Sequence, residues 1–531
     1  MNIRNCYFPI IYVRGYAMTE KEIDATAADP FCGFNLGSTV YRAAADPNRS
    51  PRKFIFESAV VRLASDFGYG DVYEDGYDFL DPEWQADSGN RLARRCIIIY
   101  RYYDEASGLL GNGQLPPITD FAQGLSRLIG RVRDLVCANP DNRMTPESFR
   151  CFLVGHSMGG LICRAFLQNP QLDPAGMRLS VDKLFTYATP HNGIEVAGRN
   201  VPQWMDRNDI HNFNRDYMAQ YLNLEEPYAR TGRVDWLPTE CFPPGRVFTM
   251  VGTNRLDYEA AFGLARTFVG HGSDGLVRIE NALLAGWNPD GSAGYPCAKA
   301  YAYRAHSGYF GIVNSEEAYQ NLTRFLFGDV RVDIWVDVAQ IRLPQAVEEQ
   351  AQSGKEIDAL YQFELLAAAR GKLWFLSRRL AEEDSPACLR HQDWVRDPQG
   401  NHQLYLSSVF LANSARVNPR RRSLAYAMTL GVRVPDYEVE RALWINEHYE
   451  GGYLFRDRLV VKIVPPTSTE GETWRVKYAW QGSGVTPPES QFDVQALRGD
   501  AVEVRIPFGN DSSPGIQGAV RLLASAWNQP E

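Results

Sequence analysis

A serine set between two glycines, Gly155-His156-Ser157-Met158-Gly159, is the stretch of this chain with the most specific chemical content. The residues before it, Phe149-Arg150-Cys151-Phe152-Leu153-Val154, are mostly apolar and β-prone. Those after it, Leu161 to Leu167, carry apolar residues at helical spacing. A strand is therefore expected to turn abruptly into a helix at Ser157. So tight a turn leaves no room for a Cβ beside the serine, which is held strained and exposed at the strand's end. The helix starting at Met158 aims its first N–H groups and the positive end of its dipole at that point. This is where a tetrahedral intermediate would carry its negative oxygen. A serine hydroxyl is a poor nucleophile at neutral pH. It needs a base to take its proton, and the base needs an acid to fix its tautomer. Only eight histidines are available as the base.

The run Val154-Gly155-His156-Ser157-Met158-Gly159-Gly160 resembles the nucleophile elbow of α/β-hydrolase lipases and esterases. A second, independent likeness is Thr189-Pro190-His191-Asn192-Gly193, similar to the Thr-Pro-His-x-Gly that lipases carry after the next strand. In those proteins this histidine is structural or lines the pocket, and His191 is read the same way. The fold's order is serine, acid, histidine. Asp274-Gly275-Leu276-Val277 resembles the Asp-Gly-x-Val that carries the acid in bacterial lipases, and His306 follows in a loop one strand later. The resemblance thus implies a triad of Ser157, Asp274 and His306, with Glu195 the alternative acid and His271 the rival base. It also implies an oxyanion hole made by the N–H groups of Met158 and Tyr16. Tyr16 follows the strand Phe8–Val13, where Arg14 stands in place of the usual histidine. The donor is a main-chain group, so that departure need not abolish the hole.

These residues need a scaffold. Strands are expected at Phe8–Val13, Arg95–Tyr100, Phe149–Val154, Val181–Ala188, Arg246–Gly252 and Ala300–Tyr303. A helix is expected from Thr119, as N-cap, to Ala138, and another from Ser315 to Phe327. A stripe of Phe54, Phe56, Ala59, Val60 and Leu63 reads as a further helix. Strands alternating with helices imply a parallel sheet with right-handed crossovers, an α/β-hydrolase catalytic domain over residues 1–328. An insertion at about 195–245 holds Ile210, Phe213, Tyr217, Tyr221 and Leu224 at spacings of three and four, one apolar stripe. By resemblance it is a lid, with Ile210, Phe213, Tyr217 and Tyr221 meeting substrate. Beyond residue 329 the texture changes to short strands between polar, Gly and Pro turns, beginning with alternating Val330, Val332, Ile334, Val336 and Val338. Residues 329–531 read as an antiparallel β-sandwich, with one of its short strands at Leu373–Leu376.

Composition bounds the rest. The 531 residues exceed one core, and 45% hydrophobic with 22% charged residues excludes disorder. A net charge of -9 argues against nucleic acid as a partner. No apolar run approaches membrane-spanning length and no leader precedes the first strand. A cytoplasmic protein is expected, with export by a leaderless route left open and transient contact with a lipid surface allowed. The nine cysteines are odd in number and read as reduced and structural. His156, His191, His211 and His271 share no ligand spacing, so neither metal nor cofactor is expected. The resemblance implies hydrolysis of ester or lipid substrates. The same triad would serve an acyltransferase, a thioesterase or a leaderless phospholipase toxin, and a non-catalytic binding protein would use the fold without it. Arg420-Arg421-Arg422 reads as a solvated loop with a weak leaning towards anions.

Overall fold

The structure, a computed structural model, describes residues 7–15, 39–42, 52–55, 59–71, 91–102, 116–196, 199–200, 210–256, 272–307, 311–370, 372, 374–397, 400, 402–416, 418–439, 447–466, 473–482, 495–496 and 501–528. The chain divides into two compact units, one of Asn5–Lys299 with Tyr303–Leu322, the other mainly Thr323–Glu531.

In the first unit a sheet runs in the order Val247–Gly252, Val181–Tyr187, Cys151–His156, Ile10–Val13, Cys96–Tyr100 and Gly70–Asp71. Every pairing along that path is parallel. The strands Cys151–His156 and Val247–Gly252 are buried at every residue. That is why they read as continuous apolar runs, since a parallel sheet has both faces covered. Alternate side chains divide between those faces. Ile11, Val13, Ile98, Cys151 and Leu153 point into one apolar cluster with Leu125, Ile129 and Val132 of the helix Ile118–Cys137 and Leu161 and Ile162 of the helix Met158–Gln168. The sixth expected strand forms as Ala298–Ala302, and Gly70–Asp71 is an edge strand the sequence did not announce. No helix among the described residues is long and apolar enough to cross a membrane.

Two local expectations are corrected. Phe54 lies in the strand Arg52–Ile55, paired with Thr39–Arg42, Phe56 lies outside the described residues, and the described helix is Ala59–Phe67. Alternating and helical spacings coincide over so short a run. The long helix starts at Ile118 with Pro117 at its N-cap position, so Thr119 is already inside it.

In the second unit a five-stranded and a six-stranded antiparallel sheet send inward-facing side chains into one core. Val332, Ile334, Val504 and Leu522 come from one sheet, and Tyr426, Leu430, Val432, Leu459 and Val461 from the other. This is the β-sandwich layout. The strand expected at Leu373–Leu376 instead lies at Ser377–Arg379, and helices Gln345–Gln352 and His391–Arg396 fill two connections.

Candidate active site

Ser157 sits between the strand Cys151–His156 and the helix Met158–Gln168 with φ 53° and ψ -126°. That backbone is strained for a residue with a Cβ, and it is held by the Ser157 N–H donating to the Tyr187 carbonyl at 2.9 Å. The flanking glycines are required by space. A Cβ on Gly155 would lie 2.7 Å from Gly160 N, and one on Gly159 would lie 2.1 Å from the Val13 carbonyl oxygen. The serine is 3% exposed, where the sequence led us to expect an open side chain. Gly15 packs against its Cβ and His306 closes over its hydroxyl.

The three residues expected to form a triad lie together. His306 Nε2 is 2.9 Å from Ser157 Oγ, and His306 Nδ1 is 2.9 Å from Asp274 Oδ2. The Asp274 carboxylate is 1% exposed and is anchored through its other oxygen, which accepts the N–H groups of Leu276 at 3.0 Å and Val277 at 2.8 Å. The His306 N–H donates to the Asp274 carbonyl at 3.0 Å, tying the two loops together by main chain. A carboxylate at Nδ1 puts the ring proton there and leaves Nε2 an acceptor for the serine O–H.

His156, inside the elbow, has a part that its position in the motif did not disclose. Its Nε2 donates to the His306 carbonyl at 3.0 Å, and the two rings lie 5.1 Å apart. Burial first, and the neighbouring His306 second, push its pKa down to about 3. It therefore stays neutral at ordinary pH, braces the His306 loop and adds no charge beside His306. His191 is fully buried, with Nε2 3.1 Å from the Thr186 hydroxyl, so it lies in the packed interior. Glu195 is engaged by Arg215 and by Arg278, the latter at 3.4 Å. Tyr16 and His271 lie outside the described residues. Met158 opens its helix, so its N–H has no intrahelical acceptor.

Arg164, two turns into that helix, is fully buried. It donates to Gln168 Oε1 at 2.8 Å and to the carbonyls of His191 at 2.9 Å, Val234 at 2.9 Å and Trp236 at 2.8 Å. Burial lowers its pKa to about 10, which leaves it charged at neutral pH. The guanidinium thus fastens the serine's helix to the turn after the next strand, and nothing in its sequence neighbourhood signals the role. Arg164→Leu should strand several buried acceptors at about 1–3 kcal/mol each. Urea unfolding should show a loss of that order or more, whereas an unchanged midpoint would mean the carbonyls find other donors.

The single amphipathic helix expected over 210–224 is broken. A 3₁₀ turn Ile210–Phe213 precedes the helix Arg215–Tyr221, and a third piece, Glu225–Thr231, follows. The Asn214 side chain restarts the helix by accepting from the N–H groups of Asp216 at 2.9 Å and Tyr217 at 3.3 Å. Phe213, Tyr221 and Leu224 are buried in the same apolar cluster as Leu161, and Tyr217 packs half-buried against it. The side chain of Ile210 lies outside the described residues. Packing of this kind makes a specific forecast for the double substitution of Phe213 and Tyr217 by serine. It should lower the melting temperature, at about 3–5 kcal/mol for the buried ring, and reduce hydrolysis of short and long esters alike. Loss confined to aggregated long-chain substrates, with stability intact, would establish the lid role instead.

Residues 117–203, from the long helix to just past the Thr-Pro-His turn, match the model of a PGAP1-like alpha/beta domain. No curated protein matches the sequence. Among solved structures, the chain is similar to phospholipase PlaB from Legionella pneumophila, at 12% identity over 83% of this chain and 90% of that one, with a TM-score of 0.31. It is similar to the lipase BlEst2 of Bacillus licheniformis in its mature form, at 14% identity over 61% and 93%, TM-score 0.29. A third is the product of the gene lin2722 of Listeria innocua, at 13% identity over 60% and 94%, TM-score 0.26.

Proposed function

We propose that this chain, an α/β-hydrolase by its parallel sheet and its matched segment, is a serine esterase or lipase acting on carboxylic esters of lipid type. The observation that carries the reading is the hydrogen-bonded line from Asp274 through His306 to Ser157, with 2.9 Å at each step. In the reaction, Ser157 Oγ attacks the ester carbonyl carbon as its proton passes to His306 Nε2. The carbonyl oxygen becomes an alkoxide facing the Met158 N–H at the positive end of its helix. Tyr16 N–H is the second donor by resemblance. Collapse of the intermediate breaks the ester C–O bond, and the proton on Nε2 leaves with the alcohol. Water then repeats the sequence on the acyl-serine, releasing the acid and restoring the hydroxyl. Asp274 keeps the imidazole in the right tautomer and offsets its charge while it holds the proton.

A serine-directed phosphonate should label Ser157 stoichiometrically, and a panel of esters varied in acyl length and head group should be hydrolysed with a preference for lipid-type acyl chains. Absence of both labelling and turnover would overturn the reading. Turnover restricted to soluble short-chain esters would keep the serine esterase and discard the lipid substrate.

A further inference from the structure

The second unit contains a cavity of about 220 Å³ with an unusual charge balance. Its wall includes Arg324, Arg370, Arg416, Arg421 and Lys462, and among the described residues no carboxylate lines it. Elsewhere in this unit arginines stand beside acids: Arg331 on Asp333, Arg378 on Glu383, Arg521 on Asp337. Here, among the described residues, the side chains of Arg370, Arg421 and Lys462 have no hydrogen-bonding or ionic partner. Five cations gathered at one concavity repel one another, and the chain as a whole is acidic at -9. Such an arrangement is favourable when an anion fills it.

The wall is also constructed. Arg370 directly follows the strand Ile357–Ala369, and its N–H donates to the Ala425 carbonyl at 3.1 Å. Ala425 is in register with Lys462 on the neighbouring strand, so three adjacent strands deliver the two cations to one end of the sheet. Arg416 is the brace. Its Nε donates to the Asn413 carbonyl at 2.9 Å and its Nη1 to the Arg421 carbonyl at 2.8 Å. It thereby fixes the turn that presents Arg421. Leu411 and Leu424 complete the wall with apolar surface, and Ser423 adds a hydroxyl.

We infer that this cavity binds a phosphate-bearing group, the charged end of a phosphate monoester or of an anionic phospholipid. Guanidinium forks match tetrahedral phosphate oxygens in pairs, and the apolar wall takes the carbon adjoining the phosphate. At this volume the site is smaller than the usual cavity for a drug-sized ligand, so it accepts a head group and not a long chain. The inference stands apart from the serine chemistry.

The test uses the full chain. Calorimetry with inorganic phosphate and glycerol 3-phosphate probes the soluble source. Co-sedimentation with phosphatidylcholine vesicles, with and without phosphatidic acid, probes the lipid source. Binding in either arm should fall by about tenfold or more in Arg370→Glu with Arg421→Glu, since two charge-assisted donors are replaced by repelling carboxylates. Arg390→Glu, at an exposed position outside the cavity, should bind as the parent does. Because Arg370 and Arg421 are exposed, both variants should melt with the parent, and Arg370→Gln with Arg421→Gln repeats the test without charge reversal. Binding of the soluble phosphates alone assigns a free phosphate ligand, and binding of phosphatidic acid vesicles alone assigns a lipid head group. No binding in either arm, or binding that the Glu and Gln variants leave unchanged, overturns the proposal.

Discussion

Ser157→Ala is expected to fold as the parent does and to lose ester hydrolysis by about 10⁴-fold or more. The substitution removes one oxygen from a buried site. Alanine also carries a Cβ, so the backbone at φ 53° is no more strained than before. The bond from the Ser157 N–H to the Tyr187 carbonyl is main chain and persists. What disappears is the atom 2.9 Å from His306 Nε2, the one that would form the acyl-enzyme. The remaining Met158 N–H can still polarise a carbonyl, which leaves a small residual rate over water. Melting curves and initial rates on one short ester decide the matter. Activity within tenfold of the parent, from a variant with an unchanged melt, would remove Ser157 from the chemistry.

The candidate site was legible in the sequence where its parts are consecutive. Gly155 to Gly159 form one strand-to-helix turn, and the steric demands at Gly155 and Gly159 are local consequences of that turn. Asp274 and His306 were expected from their order behind the serine and from the likeness of Asp274-Gly275-Leu276-Val277 to a lipase motif, since no physical rule sets the 32-residue gap between them. The buried strands declared themselves as apolar runs. The stretch 210–224 misled because its spacing fits a helix, while the cap at Asn214 that breaks it is one polar residue within an apolar stripe. Arg164 was invisible. A lone arginine in an apolar helix looks the same whether it reaches solvent or four buried acceptors. The basic cavity was equally hidden, because Arg324 on a helix, Arg370 and Lys462 at the six-stranded sheet, and Arg416 and Arg421 in the connection entering that sheet meet only in the folded unit. The triplet at 420–422 hinted at it with one of its three residues.

Asp274→Asn should cost nearly as much as losing the serine, on the order of 10⁴ in kcat, with KM close to the parent's. The amide keeps an oxygen for the N–H groups of Leu276 and Val277, and the His306 N–H still finds the residue's own carbonyl. The loop should therefore stay in place. The atom now facing His306 Nδ1 is an NH₂, a donor where an acceptor stood. The imidazole must then carry its proton on Nε2 and direct an N–H at Ser157 Oγ, so it can no longer accept the serine's proton. Its charged form also loses the adjoining carboxylate. Glu195→Gln supplies the comparison. Glu195 is bound by Arg215 and Arg278, so its neutralisation should lower the melting temperature while kcat stays within a few-fold of the parent. If Glu195→Gln abolishes turnover and Asp274→Asn leaves it intact, the acid lies after the earlier strand, and the 2.9 Å contact between Asp274 and His306 orients a loop without serving the base.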